Sequence, residues 1–487
     1  MTSDQTKPPA PGGPLAVPPA RRVYCNRTLN LNGIRAIGFD MDYTLIHYHV
    51  EVWERRAFAY LKENLLAAGW PVEGVEFDPA AMIRGLVLDL DLGNLLKADR
   101  FGYVKKAFHG TRPMTYPEAR KIYSETTVNL KNPRFVFLNA FFSLSELSMY
   151  AQLVDLFDSR KFTPDMSYTR IYAKVREALD AAHLEGRLKG EIVADPERFV
   201  AMDPELTLAL LDLRHAGKQL LLITNSEWEY TNAMMSYAFN RFLPEGSHWQ
   251  DLFDVVIISA RKPDFFASSS PLFEVVSPDG LLKPALHGVR RGGIFLGGHA
   301  ALIESYLGAS GDQILYVGDH MYGDVHVSKS VLRWRTALVV HELEQDLAAE
   351  EAFRAEQDKL DQQMRVKDRL QRRYCWLQVQ LQRAKNSYGP PPTAPVRALR
   401  SQLKQIREKL FQLDEQISPT AAQAGKLSNA NWGLLMRTGN DKSLFARQVE
   451  RYADIYLSRV SNFLYATPFA YFRSHRGSLP HDFLSPP

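Results

Sequence analysis

The sequence predicts an α/β protein with a doubly wound parallel sheet, a large inserted lobe and a C-terminal helical hairpin. Short apolar runs rich in Ile, Leu and Val recur along the chain without polar alternation, as in strands that are buried on both faces. Amphipathic segments separate several of these runs, and that alternation is typical of a doubly wound core. Because the chain has 487 residues, we expect two or three domains or one core with a large insertion.

Five apolar runs predict the strands of the core. They are IRAIGF at 34–39, QLLLI at 219–223, DVVIIS at 254–259, QILYV at 313–317 and RTALVV at 335–340. The segment DPELTLALLDLRHAG at 203–217 starts at a capping Asp and stops at a Gly, which predicts a helix before the second run. The predicted core covers residues 23–51 and 196–342 and follows a disordered, Pro-rich tail at 1–22.

Residues 52–195 are predicted to form an inserted cap. Asp40 and Thr224, which follow the first two strands, are 184 positions apart, far more than one crossover helix needs. The insertion carries helical patterns and many aromatic residues, so we expect a mostly helical lobe over the C-terminal edge of the sheet.

Residues 343–418 predict a helical hairpin. One helix has a heptad seam formed by Val396, Leu399, Leu403, Ile406, Leu410, Leu413 and Ile417. The preceding helix offers Leu370, Tyr374, Leu377 and Leu381 at matching spacing, and SYGPPPTAP at 387–395 separates the two. We expect antiparallel pairing within the chain, an outer apolar edge that supports a homo-oligomer, and a segment at 419–487 that packs on the core.

The bulk composition is that of an ordinary soluble protein. The chain has 59 Lys and Arg against 55 Asp and Glu, a net charge of +4 that gives no reason to expect a nucleic-acid partner. Cys25 and Cys375 lie far apart and have no metal-type neighbours, which favours a reducing, cytoplasmic setting. No stretch of about twenty apolar residues predicts a membrane span.

Polar residues follow four of the predicted strands. They are Asp40 and Asp42, then Thr224, Asn225 and Ser226, then Lys262, and finally Asp319 and Asp324 in VGDHMYGD. Ligand sites of parallel sheets lie beyond the carboxyl ends of the strands, so these groups are expected to meet. Several carboxylates in one cleft need a cation, and an oxygen-only cluster points to Mg²⁺ with a phosphoryl group as its companion.

The Asp-x-Asp spacing of the first motif suggests that the two carboxylates have different chemical roles. One carboxylate can attack phosphorus while the other reaches the leaving oxygen as an acid. A lone Asp-x-Asp would be a weak signal, because acids often follow strands in turns. All four motifs, in order and at strand ends, form a strong one.

The same residues resemble a known family. The words DMDYT, TNS, RKP and GDHMYGD match in order the four motifs of the haloacid dehalogenase-like phosphohydrolases, which have a Rossmann-like core. FDMDYTL, GDHMYGD and the large insertion resemble the cytosolic purine 5′-nucleotidase branch, as do RFVFLNAFFSLSE and VREALDAAHLEGRLK within the insertion.

That resemblance implies a role for each matching residue. Asp40 would be the nucleophile, Asp42 the acid and then the base, and Lys262 would neutralise nucleophile and phosphate. Thr224 and Asn225 would hold phosphate oxygens, and Ser226 would contact the substrate beside them. Asp40, the backbone carbonyl of Asp42 and Asp319 would bind Mg²⁺, with Asp324 supporting the metal. Phe142 would stack on the base, and the contacts to base and ribose would come from Asn139, Arg176, Asp180, His183 and Lys189.

Several assignments have alternatives. Lys283 rivals Lys262, although it follows SPDGLL in a predicted hairpin rather than a core strand. Arg176, Asp180 and His183 share one helix face, which could be a solvated, ion-paired stripe, and Phe142 could be a packing residue.

The expected function is that of a Mg²⁺-dependent 5′-nucleotidase. It would hydrolyse purine nucleoside monophosphates of the IMP or GMP type through an aspartyl-phosphate, with transfer of phosphate to a nucleoside as a second activity. The alternatives are a phosphatase for another phosphorylated metabolite and a catalytically idle scaffold that assembles through its hairpin.

Overall fold

The computed structural model describes residues 17–140, 143–159, 166–184 and 186–475, with the backbone alone at 182–184. The strands are Tyr24–Cys25 (β1), Leu29–Asn30 (β2), Ala36–Phe39 (β3), His47–Tyr48 (β4), Leu86–Asp89 (β5), Asn94–Ala98 (β6), Val104–His109 (β7), Arg112–Pro113 (β8), Phe135–Leu138 (β9), Val200–Ala201 (β10), Gln219–Ile223 (β11), Val255–Ile258 (β12), Leu272–Val275 (β13), Leu282–Pro284 (β14), Gly293–Gly297 (β15), Ile314–Gly318 (β16), Arg335–Val339 (β17), Arg437–Thr438 (β18), Asp441–Lys442 (β19), Ile455–Leu457 (β20) and Tyr471–Phe472 (β21).

The α-helices are Val50–Ala67 (α1), Tyr116–Tyr123 (α2), Leu144–Asp158 (α3), Tyr168–Leu184 (α4), Arg187–Ala194 (α5), Pro196–Phe199 (α6), Leu206–His215 (α7), Trp228–Phe239 (α8), Asp264–Ala267 (α9), Ala300–Leu307 (α10), Val327–Leu332 (α11), Leu343–Ala352 (α12), Arg354–Asn386 (α13), Val396–Ala424 (α14), Leu444–Tyr452 (α15) and Phe463–Ala466 (α16). Among the described helices, none is long and apolar enough to cross a bilayer.

A ten-stranded sheet forms the core, in the order β1-β20-β17-β16-β3-β11-β12-β15-β13-β14. The seven strands from β20 to β15 are parallel, and the antiparallel strands β1, β13 and β14 complete the two edges. The five predicted strands are β3, β11, β12, β16 and β17, so the doubly wound α/β core is confirmed. Their apolar runs are buried because helices cover the parallel sheet.

The centre of the sheet depends on a small residue beside a large one. Gly38 on β3 pairs with Tyr316 on β16, and a Cβ atom at Gly38 would lie 2.8 Å from the Tyr316 ring. Any other residue at this position would push the ring away. Gly38 therefore fixes the position of a tyrosine whose hydroxyl reaches the site described below.

The insertion combines helices with a second sheet. Helices α1, α3 and α4 pack on one another, and the strands form a five-stranded antiparallel sheet in the order β8-β7-β6-β5-β9. The sequence predicts the helices of this lobe but not the sheet, because its strands lack clean alternation. The fully buried strand β6, for instance, contains the polar residues Asn94 and Lys97.

Residues 345–434 form a separate compact unit built on the predicted hairpin. Leu377, Leu399 and Ile406 are its buried core, with Leu370, Tyr374, Leu381, Leu403 and Leu410 packed around them. The predicted pairing of the two helices is confirmed. Helix α14 continues through Pro419 to Ala424, so the unit extends beyond the predicted boundary at 418.

Residues 435–475, the rest of the described C-terminal segment, belong to the same compact unit as the core. Strand β20 pairs in parallel with β17 and is covered on its other side by β1. Asp454, next to β20, is buried and ion-paired with Lys329 at 2.6 Å and with Arg335 at 3.1 Å. Residues 419–434 belong instead to the hairpin unit, and the packing of the whole segment 419–487 on the core stays a prediction.

Candidate active site

The carboxyl ends of β3, β11, β12 and β16 open into one cleft of about 1680 Å³. Twelve of the predicted site residues line it: Asp40, Asp42, Asn139, Arg176, Asp180, Lys189, Thr224, Asn225, Ser226, Lys262, Asp319 and Asp324. Phe142 lies outside the described residues, and His183 is described by its backbone alone. The cleft therefore joins residues of the core to residues of the insertion, as the sequence predicts.

Lys262 is the buried cation of this cleft. Its Nζ donates to Oδ1 of Asp40 and to Oδ1 of Asp324, each at 2.7 Å, and to the hydroxyl of Tyr316 at 3.1 Å. Burial alone would lower the pKa of Lys262, but the two carboxylates outweigh it and raise that pKa well above its ordinary value. The lysine is therefore a permanent positive charge beside Asp40.

The alternative lysine lies elsewhere. Lys283 is on edge strand β14, where its Nζ is 3.1 Å from Oε2 of Glu274, and its side chain is 60% exposed. Lys262 is therefore the third-motif lysine that reaches Asp40.

Asp40 directly follows the central strand β3 and lies close to the charges of Lys262 and Asp324. Burial raises its pKa to about 7, Lys262 opposes the shift, and repulsion from Asp324 adds to it. Its Oδ1 also accepts the backbone N–H of Met41 at 2.7 Å. One carboxylate oxygen is thus held by two donors, which fixes the orientation of the group.

Asp40, Asp319 and Asp324 form the candidate metal centre. One carboxylate oxygen from each lies within 4.8 Å of the others. Burial, followed by repulsion from Asp324 and Asp40, raises the pKa of Asp319 well above its usual range. A hard divalent cation would relieve this cost, and an oxygen-only ligand set suits Mg²⁺, so the residues present fit that ion.

The loop after β16 places Asp324 by a π-helical turn, Met321–His326. The backbone N–H of His320 donates to Oδ2 of Asp324 at 3.1 Å, and a Cβ atom at Gly318 would lie 2.5 Å from the Asp324 carboxyl. The absence of a side chain at Gly318, the first glycine of VGDHMYGD, therefore leaves room for the carboxyl group of Asp324.

Asp42 is held by two hydroxyl groups. Tyr48 donates to its Oδ1 at 2.5 Å and Ser226 to its Oδ2 at 2.7 Å. Tyr48 is in turn 2.9 Å from the hydroxyl of Tyr230. Each oxygen of Asp42 is thus fixed by a short contact with a neutral hydroxyl group.

The second motif supports its neighbours. Thr224 is fully buried, and its hydroxyl accepts the backbone N–H of Ser226 at 3.1 Å. The amide of Asn225 accepts the N–H of Lys262 at 2.6 Å and donates to its carbonyl at 3.1 Å. Asn225 therefore fixes the backbone that carries Lys262, a role that the sequence does not predict.

The insertion presents charged side chains to the same cleft. Arg176 contacts the buried Glu146 and the half-exposed Asp180, each at 3.1 Å. Lys189 pairs with Glu227 at 2.7 Å, and its Nζ lies 4.9 Å from the centre of the Tyr230 ring. Within the stripe on α4, Arg176 and Asp180 are ion-paired, as the alternative interpretation held, and both also line the cleft.

Three contacts with residues of the cleft were not predicted. Tyr48 and Tyr316 hold Asp42 and Lys262 as described above, and Arg84 donates to the backbone carbonyl of Asp319 at 3.3 Å. For Tyr316, the sequence offered one signal, a tyrosine in the otherwise apolar run QILYV, and in the structure this residue pairs with Gly38. Arg84 lies 235 positions from Asp319, so no local pattern could indicate its contact.

The chain is similar to known proteins over most of its length. A 5′-nucleotidase domain-containing protein of Dictyostelium discoideum is 27% identical over 480 residues, covering 95% of this chain and 75% of that protein. Human 5′-nucleotidase domain-containing protein 2 is also 27% identical over 480 residues, covering 94% of this chain and 85% of that protein.

Solved structures with detectable similarity include CbbY from Rhodobacter sphaeroides, at 15% identity and a TM-score of 0.24 over 63% of this chain and 86% of that one. A haloacid dehalogenase-like hydrolase from Xanthomonas campestris has 14% identity and a TM-score of 0.25 over 66% and 93%. The model of the 5′ nucleotidase family matches residues 23–484, and the chain therefore belongs to that family.

Proposed function

We propose that this chain is a Mg²⁺-dependent 5′-nucleotidase that hydrolyses purine nucleoside 5′-monophosphates of the IMP or GMP type. The observation that carries the proposal is the arrangement of Asp40 and Asp42 at the end of β3, with Lys262 joining Asp40 to Asp324. Cys25 and Cys375 are free thiols, which suits the cytoplasmic setting that we also propose.

In the first step, an oxygen of Asp40 attacks phosphorus and the bond from phosphorus to the ribose 5′ oxygen breaks. Asp42 gives its proton to that oxygen, and the nucleoside leaves. Lys262 balances the negative charge on Asp40 and on the phosphoryl oxygens. An aspartyl-phosphate on Asp40 results.

In the second step, water attacks the phosphorus of the aspartyl-phosphate while Asp42 takes up its proton. The bond from phosphorus to Asp40 breaks, which releases inorganic phosphate and restores both carboxyl groups. A nucleoside hydroxyl in place of water would give phosphate transfer, the second activity that we propose.

Asp40, Asp319 and the backbone carbonyl of Asp42 would hold Mg²⁺, with Asp324 supporting the metal. The carboxylates of Asp40, Asp319 and Asp324 lie close enough together for this role. When bound, the ion supplies positive charge to the phosphoryl oxygens and lowers the repulsion among the carboxylates.

Two substitutions test the mechanism. Asp40→Asn should abolish phosphate release from IMP, because an amide cannot form the acyl-phosphate. Asp42→Asn should lower kcat by about 10² to 10⁴-fold with KM nearly unchanged, because it removes an acid and base but no phosphate contact. Asp279→Asn, at an exposed loop position, is the control and should leave kcat and KM unchanged. Substantial turnover by Asp40→Asn would disprove the covalent route.

We further propose that the insertion selects the purine base. Arg176 and Asp180 on α4 and Lys189 on α5 line the cleft on the side formed by the insertion, and Asn139 follows β9 there. The buried carboxylate of Glu146 holds Arg176 in place through an ion pair. The cleft therefore presents the guanidinium of Arg176, the carboxylate of Asp180 and the ammonium of Lys189. Such groups can match the donor and acceptor edge of a purine.

Substrate comparison tests base selection. Asp180→Ala should raise KM for IMP about tenfold or more, since a lost polar partner costs about 1–3 kcal/mol, and should leave hydrolysis of p-nitrophenyl phosphate within about twofold. Lys174→Ala, on the same helix and paired with Glu177 outside the cleft, is the control. Equal losses on both substrates would show that Asp180 only stabilises the fold.

A further inference from the structure

The outer part of the hairpin carries an unusual concentration of positive charge. Residues 365–409 contain 12 Lys and Arg against two acids, Asp368 and Glu408. The remaining 442 residues contain 47 Lys and Arg against 53 Asp and Glu, so they are acidic. The whole-chain charge of +4, from which no nucleic-acid partner was expected, conceals this separation.

Eight of the 12 cations lie in two stripes on the surface of the hairpin, one of which also contains Trp376 and Val379. On α13, Arg365, Arg369, Arg372, Trp376, Val379 and Arg383 follow one another at spacings of 4, 3, 4, 3 and 4. On α14, Arg397, Arg400, Lys404 and Arg407 are spaced 3, 4 and 3. Such spacing puts each set on one helix face, and all of these residues except the half-buried Arg383 are exposed. The α13 stripe is about 27 Å long at 1.5 Å per residue.

These charges are not neutralised within the hairpin. Of the 12 cations, all of them in the described part of the chain, only Lys367 has an ion pair, with Asp414 at 2.5 Å. A solvated helix face normally intersperses both signs of charge, and here one sign dominates over 45 residues. The surface is therefore suited to a partner that carries many negative charges.

The composition of the stripes indicates the chemistry of that partner. Eight of the 12 cations are arginines, whose planar guanidinium binds phosphate oxygens in pairs. Trp376 is 51% exposed among them and offers a flat face on which a base can stack. Proteins that bind single-stranded nucleic acid typically combine cations along the path of the phosphate backbone with aromatic side chains on which bases stack.

Two other partners fit less well. A bilayer would need a continuous apolar face, but the leucines of α13 and α14 pack in the seam, where Leu377 and Leu399 are each 1% exposed, and the exposed Trp376 and Val379 lie among arginines. A second copy of this chain would place like charges opposite each other on these stripes. We infer that residues 365–409 form a binding surface for single-stranded nucleic acid, an interaction beyond the proposed hydrolysis of mononucleotides.

Fluorescence anisotropy of the full-length protein with a labelled U20 oligonucleotide tests this inference. Binding should be measurable at 50 mM NaCl and weaken about tenfold or more at 200 mM, because phosphate contacts release counterions. Removing four charges with Arg397→Gln, Arg400→Gln, Lys404→Gln and Arg407→Gln should weaken U20 binding at least about tenfold, by the same electrostatics. Glutamine is a good helix former, so circular dichroism should show unchanged helix content.

A matched control removes four exposed cations from the other compact unit: Arg55→Gln, Arg120→Gln, Lys121→Gln and Lys174→Gln. It should change U20 binding less than about twofold, since screening limits distant charges. Both quadruple variants should hydrolyse mononucleotides as the parent does, so failure of this inference and failure of the proposed function are distinguishable.

Trp376→Ala separates nucleic acid from other polyanions. It should weaken U20 binding several-fold and leave binding of poly-glutamate unchanged. Absence of U20 binding at 50 mM NaCl would overturn the inference. Equal affinity for poly-glutamate, with no effect of Trp376→Ala on U20, would assign the surface to an acidic protein instead. Sedimentation with vesicles containing phosphatidylserine, without U20 binding, would assign it to a membrane.

Discussion

Glu54 has a fully buried carboxyl group on α1. Its Oε2 accepts the backbone N–H of Ser145 in the first turn of α3 at 2.6 Å, and its Oε1 has no hydrogen-bond partner among the described residues. Burial raises the pKa of Glu54 to about 8, against the opposing effect of the Ser145 contacts, and nearby Glu146 adds to the rise. Glu54 is therefore protonated near neutral pH and caps α3 as a neutral acid.

This shift predicts a pH dependence of stability. Between pH 4.5 and about 8 the carboxyl is ionised in the unfolded chain and protonated in the folded one, so unfolding releases a proton. The free energy of unfolding should therefore fall with rising pH, by up to about 1.4 kcal/mol per unit from this group, and level off above its folded pKa.

Glu54→Gln isolates that contribution, because it keeps an acceptor for Ser145 but cannot ionise. Thermal midpoints followed by tryptophan fluorescence should decline less between pH 5 and pH 8 in this variant than in the parent. Glu51→Gln changes an exposed glutamate on the same helix and should follow the parent. Parallel curves for all three proteins would show that Glu54 is already ionised when folded.

At the scale of elements, the seam between α13 and α14 forms a hydrophobic core of the hairpin unit. Leu399 is 1% exposed and packs in the same cluster as Leu377 and Ile406. Leu399→Ala should lower the stability of the hairpin by about 2–4 kcal/mol, through lost burial and the cavity left behind.

Hydrogen exchange can locate this effect. Amides of α13 and α14 should exchange faster in Leu399→Ala, while those of β3 and β16 keep their protection, because the hairpin is a separate compact unit. The exposed Gln405→Ala on the same helix should match the parent. Uniform protection in all three would contradict the assignment of Leu399 to the seam.

At the scale of the whole molecule, we predict a homo-oligomer. Of the outer-edge residues that the sequence offers, Phe411 is 64% exposed and Phe353 and Met364 are half-buried, whereas Leu360 is already buried within the chain. Burying that edge against a second copy would remove apolar surface from water. Light scattering at micromolar concentration should give a multiple of 55.4 kDa.

Two negative charges introduced into the seam by mutation should lower the mass measured by light scattering. Leu403→Asp with Leu410→Asp should disturb the hairpin and reduce the oligomeric state while activity persists. Gln405→Asp with Gln412→Asp adds the same charge at exposed positions of the helix and is the control. A mass near 55.4 kDa for the parent would identify a monomer instead.

Much of this molecule could be predicted because its signals are local. The runs that form β3, β11 and β16 need no long-range information, and their carboxyl ends must meet once the sheet is parallel. Tyr48, Arg84 and Tyr316 were missed because their contacts depend on tertiary register. The second sheet was missed because strands such as β6 carry polar residues that only a finished lobe can satisfy.

The position of β20 has a consequence for how the protein is made. The six preceding parallel strands lie between residues 36 and 339, whereas the seventh comes from Ile455–Leu457, after the whole hairpin. During translation, the sheet therefore stays open beside β17 until residues 455–457 emerge from the ribosome. During that interval the edge of β17 has unpaired backbone groups that another nascent chain can bind. Protection of that edge by chaperones would be needed most while the hairpin is being translated.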